Sequence, residues 1–366
     1  MSIWNNGIGL SIFGEARSDF FGISIDSIPE GYAISYSKLL QTMHRHRQKQ
    51  TAKTQKPYPE EVPRIVSGIY GGSTTGAPIC LTIQNENIDY DDFSHEKFSN
   101  DALRPSHADL TAQIKYCGYQ DKREGGHFSG QLTAAIVAAG GICEQILAQN
   151  QIFTATHLLK IGEVEDVKFD KSNINARTFE RLNSGDVFMI DSAKFNDFLK
   201  LRKECREKGD SVGSIVECVA IGVPQSLGGP YFENFKATIS SLIFAIPGVT
   251  GLSFGEGFNS AYMYGSEYND EFTVKNNKIC TKTNNCGGIQ GGISNGMPLI
   301  LTVSFKPSPS IKMKQKSVIF SKKAIVDIEN EGEYDFCIGT RGSSVIHSCI
   351  DIAILSQIVK YKKEIL

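Results

Sequence analysis

Residues 68–83, GIYGGSTTGAPICLTI, align without gaps on residues 288–303, GIQGGISNGMPLILTV. Eight of the sixteen aligned positions are identical, and four of these are glycines. A weaker similarity pairs an alternating apolar strand and proline-containing turn at 22–31 with a second one at 213–228. Because a solenoid needs three or more shorter units, a repeat that occurs twice predicts one pseudo-symmetric fold built from two related halves.

The composition is that of a folded protein, since 40% of the 366 residues are hydrophobic, and the length permits a large core. No linker divides the sequence, so we expect a single domain over residues 1–366. The net charge of −2 gives no overall attraction to nucleic acids or anionic membranes. The N-terminus does not resemble a signal sequence, and no stretch approaches the roughly 20 apolar residues of a membrane span. We therefore expect a cytoplasmic protein with no nucleic-acid or membrane partner.

Strand and helix patterns alternate along the chain, which indicates a mixed α+β fold. Residues 21–28 predict a strand, and the apolar run at 131–139, continuing toward Leu147, predicts a helix. The basic run from 44 to 56 has no apolar face and precedes prolines, so we expect a mobile loop over about 44–63 rather than a helix. Residues 163–208 are polar and are predicted to form a peripheral insertion with a helix before Gly209. The nine cysteines include no C-x-x-C pair and indicate reduced thiols, and we expect no metal site.

Two segments could hold an anion. In TNNCGGIQGGISNG at 283–296, the glycines would let backbone N–H groups cradle a phosphate or lie against a flat ring; the alternative is a set of tight packing turns. The segment FKPSPSI at 305–311 follows a predicted strand, and Lys306, Ser308 and Ser310 could pin a phosphoryl group. The alternative there is a proline-stiffened strand exit with a solvated lysine.

The turn RPSHAD at 104–109 places Arg104 and His107 together, a fixed cation beside a titratable imidazole. A lone histidine is more often a structural residue than a catalytic one. The segment GGHFSG at 125–130 then opens the predicted helix, so a second histidine, a serine and a helix N-terminus could face an anion together.

Taken together, these motifs resemble the chorismate synthase family over about residues 5–345. RPSHAD resembles the family's R-P-G-H-A-D, and KYCGYQDKREGGHFSGQLTA at 115–134 resembles its K-Y-x-x-x-D-x-R-x-G-G-x-x-S-x-R-x-T-A. The motifs that follow in the family's order are GDSVG at 209–213, GGPYFENF at 228–235, FGEGF at 254–258, TNNCGGIQGGISNGMP at 283–298 and FKPSPSI at 305–311. Several long motifs in a fixed order are far more specific than any one of them.

The resemblance implies a β-α-β sandwich with two pseudo-symmetric halves that assembles as a homotetramer. It implies the 1,4-anti elimination of phosphate from 5-enolpyruvylshikimate 3-phosphate to give chorismate, the last common step of aromatic amino acid biosynthesis in the shikimate pathway. The reaction requires reduced FMN although it has no net redox change. The reduced flavin would come from NADPH-dependent reduction by the protein itself or from a separate flavin reductase.

The resemblance also assigns roles to individual positions. Flavin contacts are implied for His127, Phe128, Ser129, Gly291, Lys306, Pro307, Ser308, Pro309, Ser310 and Arg341. Arg45 and Arg104 match arginines on the substrate side, where bidentate guanidinium contacts suit phosphate and carboxylate groups. His107 matches the histidine that assists proton movement.

The chain departs from the family at several of its chemical positions. The family's F-G-E-S-H-G carries a catalytic histidine, but FGEARS at 13–18 has Arg17 there, and an arginine cannot deliver a proton near neutral pH. Family arginines are replaced by His46, Pro57 and Gln131. Each lost charged contact to a buried anion costs about 1.5–3 kcal/mol.

The family's G-R-H-D-P near the C-terminus is GTRGSS at 339–344 in this chain. Depending on a one-residue shift, Ser343 or Gly342 replaces the catalytic aspartate, and Arg341 or Thr340 matches the arginine. One hypothesis is a working enzyme in which other cations, such as Arg17, Arg47 or Arg64, restore the charge. The alternative is a catalytically impaired paralogue that keeps flavin or anion binding.

Overall fold

The structure is a computed structural model that describes residues 3–51, 61–85, 101–184, 189–275, 277–329 and 334–361. The elements of the first half are β1 (Ile3–Asn6), β2 (Ile8–Phe13), β3 (Phe20–Asp26), α1 (Tyr36–Thr51), β4 (Pro63–Ser67), β5 (Ile69–Tyr70), β6 (Ser73–Thr74), β7 (Ile79–Gln84), α2 (Asp109–Lys115) and α3 (Thr133–Gln149). Those of the second half are β8 (Phe153–Ile161), β9 (Val164–Glu165), α4 (Ala176–Asn183), α5 (Lys194–Lys208), β10 (Ser214–Ile221), α6 (Phe235–Ile243), β11 (Val249–Phe254), α7 (Gly265–Tyr268), β12 (Phe272–Lys275), β13 (Lys278–Thr281), β14 (Ile289–Gln290), β15 (Ile293–Ser294), β16 (Leu299–Phe305), β17 (Gln315–Ile319), β18 (Ala324–Ile328) and α8 (Ile338–Tyr361). Short 3₁₀ turns span Arg123–Phe128, Gly130–Leu132, Tyr231–Glu233 and Gly257–Tyr262.

Two five-stranded antiparallel sheets enclose a layer of helices. The first sheet has the order β1-β2-β3-β7-β4 and the second the order β11-β16-β10-β8-β9. Read in opposite directions, the two orders match strand for strand, with β3 and β7 corresponding to β10 and β16. The helices α3 and α8 pack on each other and on strands of both sheets. The predicted α+β sandwich of two pseudo-symmetric halves is confirmed.

The repeat at 68–83 and 288–303 folds twice into the same structure, a short hairpin followed by an inner strand. Gly68 and Gly288 open the two copies with φ of 83° and 85°, and Gly71 and Gly291 at the hairpin turns have φ of 57° and 59°. Glycine adopts this left-handed region without the steric cost that a Cβ atom brings. The identical glycines therefore encode the identical turns.

One buried hydroxyl anchors each copy of the repeat. In both halves this hydroxyl accepts a hydrogen bond from a backbone N–H in the segment that follows β3 or β10. The hydroxyl also donates to the backbone carbonyl three residues before that N–H. The bonds are Tyr32 N to Thr74 Oγ1 at 2.9 Å, Thr74 Oγ1 to Pro29 O at 2.7 Å, Leu227 N to Ser294 Oγ at 2.9 Å and Ser294 Oγ to Pro224 O at 2.6 Å. The weaker similarity at 22–31 and 213–228 thus reflects a shared contact.

The helices α3 and α8 form the centre of the core. With the turn before α3, they span 20 and 24 residues and are apolar enough to cross a membrane by length and composition, so the expectation that no stretch reaches this length is wrong. In the fold, 83% and 100% of the apolar windows are buried between the sheets. Gly140 allows the close approach, since a Cβ there would lie 2.2 Å from the Cβ of Ser348. Long apolar helices buried on all sides are core helices here.

The loop predicted over about 44–63 is a helix in its first part, because α1 continues to Thr51. The prediction was wrong there because α1 begins at Tyr36, and its first turns bury Leu39 and Met43 in the core. Arginine, glutamine and lysine are good helix formers, so the anchored helix extends through the basic residues. Residues 52–60, including Pro57, lie outside the described residues.

The first part of the segment predicted as an insertion at 163–208 packs on the outer face of the second sheet, whereas Phe198 of α5 packs in the main core. Phe169, Phe179 and Leu182 form a buried cluster with Val219 and Ile300 from the strands beneath. As the sequence predicts, a helix, α5, ends at Lys208, directly before Gly209.

A buried ion triad fastens the same segment to the sheet. His157 Nδ1 lies 2.9 Å from Asp166 Oδ2, and His157 Nε2 lies 2.9 Å from Glu217 Oε2. Burial alone would lower the pKa of His157, but the bonds to the two carboxylates raise it above its usual value. A protonated imidazole donates to both carboxylates, so the triad is held as a cation between two anions.

Candidate active site

The RPSHAD turn and the KPSPS run meet, although about 200 residues separate them in sequence. His107 Nε2 lies 3.0 Å from Ser310 Oγ, and Lys306 Nζ donates to the backbone oxygen of Ser106 at 2.6 Å. Lys306 directly follows the inner strand β16, and RPSHAD lies between the corresponding strand β7 and helix α2. KPSPS therefore lies directly at the exit of β16, and the contact joins it to a turn that begins 20 residues after the end of the corresponding strand β7.

The bonds of His107 define its tautomer. Nδ1 lies 3.0 Å from the backbone oxygen of Pro105, and a carbonyl only accepts, so Nδ1 carries the proton. The lone pair of Nε2 then accepts the hydroxyl of Ser310. Burial, followed by the charge of Arg104, lowers the pKa of His107 below its usual value. His107 is therefore neutral near pH 7, with its basic nitrogen directed at Ser310.

Arg104 is fixed by a two-point contact with Asp109. Its Nε and Nη2 donate to the two carboxylate oxygens at 2.9 and 2.7 Å. Burial alone would raise the pKa of Asp109, but these bonds to Arg104 lower it below its usual value. The side chain of Arg104 remains 39% exposed and lies beside Gly125. The turn thus presents a positioned cation that an anionic ligand can reach.

The segments FGEARS and GGHFSG pack on each other next to Arg104. Ala16 N–H donates to the oxygen of Gly126 at 3.2 Å, and the Asn85 amide donates to the oxygen of Ala16 at 3.3 Å. Gln131, which stands where the family has an arginine, donates to Asn85 Oδ1 at 2.6 Å. Arg17 lies half-buried in this supported turn.

Aromatic side chains line the approach to α3. The rings of His127 and Phe128 lie 4.3 Å apart and tilt by 32°, and Tyr116 meets His127 edge-on at 5.1 Å. Ser129 Oγ accepts the N–H of Gln131 at 3.3 Å and so caps the turn that leads into the helix. Phe128 is 37% exposed, so part of this aromatic surface faces solvent.

The remainder of the KPSPS run is mostly structural in its contacts. Ser308 is buried, and its backbone oxygen accepts the hydroxyl of Ser211 at 2.7 Å. Pro307 lies over Gly213 at the start of β10, and the oxygen of Pro309 accepts the N–H of Ile311 at 3.1 Å. These contacts fix the run at the strand exit, which leaves Lys306 and Ser310 as the side chains in contact with RPSHAD.

Arg45 lies away from the RPSHAD turn, on the face of α1 that meets α3. Its Nη2 contacts Glu144 Oε2 at 2.5 Å and Thr42 Oγ1 at 3.0 Å. The structure therefore holds this predicted substrate arginine in an ion pair with the core helices.

Arg341 joins the first turn of α8 to the chain before β4. Its Nε lies 3.0 Å from His46 Nε2, and its Nη2 contacts Glu61 Oε1 at 2.5 Å. The neighbouring Gly342 packs on Phe305, the residue before Lys306. Arg341 thus lies near the base of the KPSPS run.

Two predicted positions lie elsewhere. Ser343 is 2% exposed and donates to the oxygen of Thr340 at 3.1 Å, so its side chain is part of the helix packing. Gly291 lies in the hairpin of the second repeat, where the adjacent Gly292 contacts Gly229 and Asn234. Within one chain, this hairpin belongs to a different surface from the RPSHAD turn.

Sequence reasoning missed two carboxylates near Arg341. Glu61 forms the ion pair described above, and burial raises the pKa of Asp335 while Arg341 opposes that rise. Neither residue lies in a recognisable motif, so no pattern in the sequence marked them.

The fold and the site define a class of protein: an α+β sandwich of two related halves that presents fixed cations and a neutral histidine at its strand exits. A sequence model of the family described as chorismate synthase matches residues 8–359. The chain belongs to the chorismate synthase family.

Relatives and a solved structure agree with that assignment. The chain is 36% identical to the chorismate synthase of Thermococcus kodakarensis, covering 96% of both chains. It is 39% identical to that of Pyrococcus abyssi, covering 93% of this chain and 92% of the relative. A structure entitled "Crystal Structure of Chorismate Synthase" shares the fold, with a TM-score of 0.75 at 23% identity over 96% of this chain and 92% of that one. The alternative of an impaired paralogue receives no support from these relatives.

Proposed function

We propose that this chain catalyses the 1,4-anti elimination of phosphate from 5-enolpyruvylshikimate 3-phosphate to give chorismate, with reduced FMN as cofactor. The observation that carries the proposal is the contact of RPSHAD with KPSPS, in which His107 Nε2 lies 3.0 Å from Ser310 Oγ. Family membership supports the reaction. In it a carbon–oxygen bond to phosphate breaks, a proton leaves the ring and a new ring double bond forms.

His107 is the proposed residue for proton movement. Its Nδ1–H is held by the oxygen of Pro105, so a proton can be gained only at Nε2. The lowered pKa keeps this nitrogen unprotonated near pH 7, as a base requires. The family's second histidine is Arg17 here, so we propose that Arg17 contributes charge rather than a proton.

Arg104 and Lys306 are the proposed anion-binding cations. Asp109 orients the guanidinium of Arg104, and the oxygen of Ser106 orients the ammonium of Lys306. Cations that are already positioned lose little conformational freedom when an anion binds. The reaction has anionic groups in the substrate and releases phosphate, so positive charge at this place favours both binding and departure.

The residues present fit reduced FMN. The partly exposed ring of Phe128, packed beside His127, offers an aromatic face to a flat ring system, and the ammonium of Lys306 supplies a donor for a phosphate. When bound, reduced FMN supplies electron density toward the breaking carbon–oxygen bond. We propose that the reduced flavin is supplied by NADPH-dependent reduction on this protein or by a separate flavin reductase.

Arg341, held by Glu61, is proposed to supply further positive charge near the KPSPS run. Arg45 can serve the substrate only if its pair with Glu144 opens, so we assign it a smaller part. Ser343 is buried, and we assign it no contact with substrate.

We propose a homotetramer in the cytoplasm. Large aromatic side chains are exposed on the second half, with Tyr231 at 87%, Phe232 at 99% and Tyr262 at 88%. Exposed apolar surface of this kind is typical of subunit interfaces. Assembly would also allow the hairpin of Gly291 to reach a neighbouring site, as its implied flavin contact requires.

The test is anaerobic turnover of 5-enolpyruvylshikimate 3-phosphate by the full chain with chemically reduced FMN, with chorismate and flavin absorbance followed together. We expect chorismate to form catalytically. A flavin-binding signal without product would overturn the proposed reaction while retaining the cofactor, and the absence of both signals would overturn both.

A further inference from the structure

Three side chains that commonly bind metals converge between the core helices, apart from the RPSHAD and KPSPS contacts. Glu144 lies on α3, and His347 and Asp351 lie one turn apart on α8, on the same face of that helix. His347 Nε2 is 3.2 Å from Asp351 Oδ2 and 3.9 Å from Glu144 Oε1, and the three atoms all lie within 4.8 Å of one another.

Buried polar atoms around this point are incompletely hydrogen-bonded. Ser344 Oγ has no hydrogen-bond partner among the residues that the structure describes, and the 3.2 Å contact between His347 Nε2 and Asp351 Oδ2 lacks hydrogen-bond geometry. Asp351 is 2% exposed and Ser344 is 7% exposed. Ser344, His347 and Arg45 line a cavity of about 10 Å³ beside this cluster, the space of one water molecule. Buried polar groups are normally satisfied, so these atoms indicate a bound species.

The surrounding residues hold each carboxylate by one oxygen only. Thr154 Oγ1 donates to Asp351 Oδ1 at 2.6 Å, and Arg45 and Thr42 donate to Glu144 Oε2 at 2.5 and 2.9 Å. The other oxygen of each carboxylate, Oδ2 or Oε1, faces His347. Metal-binding carboxylates are typically oriented in this way by outer hydrogen bonds.

The local charge favours a cation. The carboxylates of Glu144 and Asp351 approach each other in the core, and a cation between them offsets their mutual repulsion. Arg45 compensates Glu144 from the opposite side. A divalent ion at the centre would attract both carboxylates and accept the Nε2 lone pair of His347.

We propose that Glu144 Oε1, His347 Nε2 and Asp351 Oδ2 bind one first-row divalent transition ion, with Zn²⁺ as the expected metal. One imidazole and two carboxylates suit such ions better than Mg²⁺ or Ca²⁺, which prefer oxygen ligands alone. Ser344 Oγ or a water completes the coordination. Because the ligands come from α3 and α8, the ion joins the two core helices and is structural.

The experiment uses the full chain, freed of metal by chelator and dialysis, and titrates it with Co²⁺ as a spectroscopic substitute for Zn²⁺. We expect visible d–d absorption that saturates at one ion per chain, a rise in the melting temperature and displacement by Zn²⁺. His347→Gln and Asp351→Asn should each weaken Co²⁺ binding at least about 100-fold, since loss of a ligand exceeds the 10–100-fold cost of losing an outer contact. The matched control is His44→Gln, an exposed histidine on α1, which should bind as the wild type does.

Failure of the folded wild-type chain to bind Co²⁺ saturably would overturn the proposal. In that case, the cluster would be a metal-free ion pair of His347 with the two carboxylates. Co²⁺ binding that survives in both variants would also overturn it. The wild-type titration decides the question even if the variants fail to fold, and no step depends on catalysis.

Discussion

Equivalent positions of the two sheets carry very different side chains. Thr82 and Thr302 occupy the same place in the repeat; Thr82 pairs with Gly22, which pairs with Phe13, whereas Thr302 pairs with Glu217, which pairs with His157. In the first sheet, the partly exposed Phe13 lies over a glycine. In the second sheet, the corresponding pair, Glu217 and His157, forms a buried ion triad with Asp166. The duplicated backbone is therefore separable from the side chains that its outer faces carry.

At the candidate site, too, the two halves share a backbone plan but carry different side chains. Corresponding inner strands, β7 and β16, precede RPSHAD and KPSPS, yet these two segments share no sequence pattern. Each half contributes different chemistry to their contact: a histidine and an arginine from the first, a lysine and a hydroxyl from the second.

The largest expected effect concerns the ion triad. His157→Leu leaves Asp166 and Glu217 buried without their cation, which should lower the free energy of unfolding by about 3–5 kcal/mol. The equivalent change in the first sheet, Phe13→Leu, should cost less than about 1.5 kcal/mol. Urea unfolding of both variants measures the difference. Equal losses would mean that the two outer faces do not differ in this way.

The second-largest loss of stability should come from substituting the glycines that open the two copies of the repeat. An alanine at Gly68 or Gly288 combines a left-handed φ with a Cβ only 2.6 Å from backbone atoms, so each change should cost about 2–5 kcal/mol. Gly71→Ala and Gly291→Ala, where a Cβ meets no described atom within 4 Å, should cost about 1 kcal/mol. Denaturant midpoints measure these losses. If the losses differed between the first and second copies of the repeat, rather than between the opening and hairpin positions, the pseudo-symmetry would be contradicted.

The anchoring hydroxyls should give a smaller, matched effect. Thr74→Val and Ser294→Ala each leave a backbone N–H without its acceptor, partly buried at Tyr32 and buried at Leu227, at about 1–3 kcal/mol. We expect the two losses to agree within experimental error when thermal unfolding is followed. A loss confined to one half would show that only one copy depends on its hydroxyl.

The pH dependence of stability should be the smallest effect and should have opposite signs for two histidines. Because the folded-state pKa of His107 is lowered, its contribution is fully present above the unfolded value of 6.5 and is lost as the pH falls through the folded pKa. The pKa of His157 is raised, so its contribution is fully present below 6.5 and is lost as the pH rises through the folded pKa. Unfolding of His107→Asn and His157→Leu across pH 5–9, compared with the wild type, checks both signs; slopes of the same sign would contradict this assignment.

The sequence was sufficient for the scaffold because glycine positions and apolar periodicity are local signals with direct structural meaning. It predicted the paired halves, α3 and the end of α5 at Gly209. It failed at α1, because the residues that anchor the helix, Leu39 and Met43, precede the basic run that was read as a loop.

The site was predicted less completely, because side-chain contacts depend on tertiary packing. The motifs indicated His107, Lys306 and Ser310 but not that they touch. Arg45 matches a substrate arginine by position, yet in the fold its partner is Glu144, and no local pattern reports that contact. The carboxylate of Glu61 next to Arg341 was equally invisible.

The central claim is that RPSHAD and KPSPS together form one active site. Its most direct test is anaerobic turnover with reduced FMN by Lys306→Met, compared with Lys316→Met, the same change at an exposed lysine on β17. Losing a charged contact worth about 1.5–3 kcal/mol should lower kcat/KM about 10- to 150-fold for Lys306→Met, with the control unchanged. If Lys306→Met retained wild-type kcat/KM and flavin affinity, the active site would have to lie elsewhere.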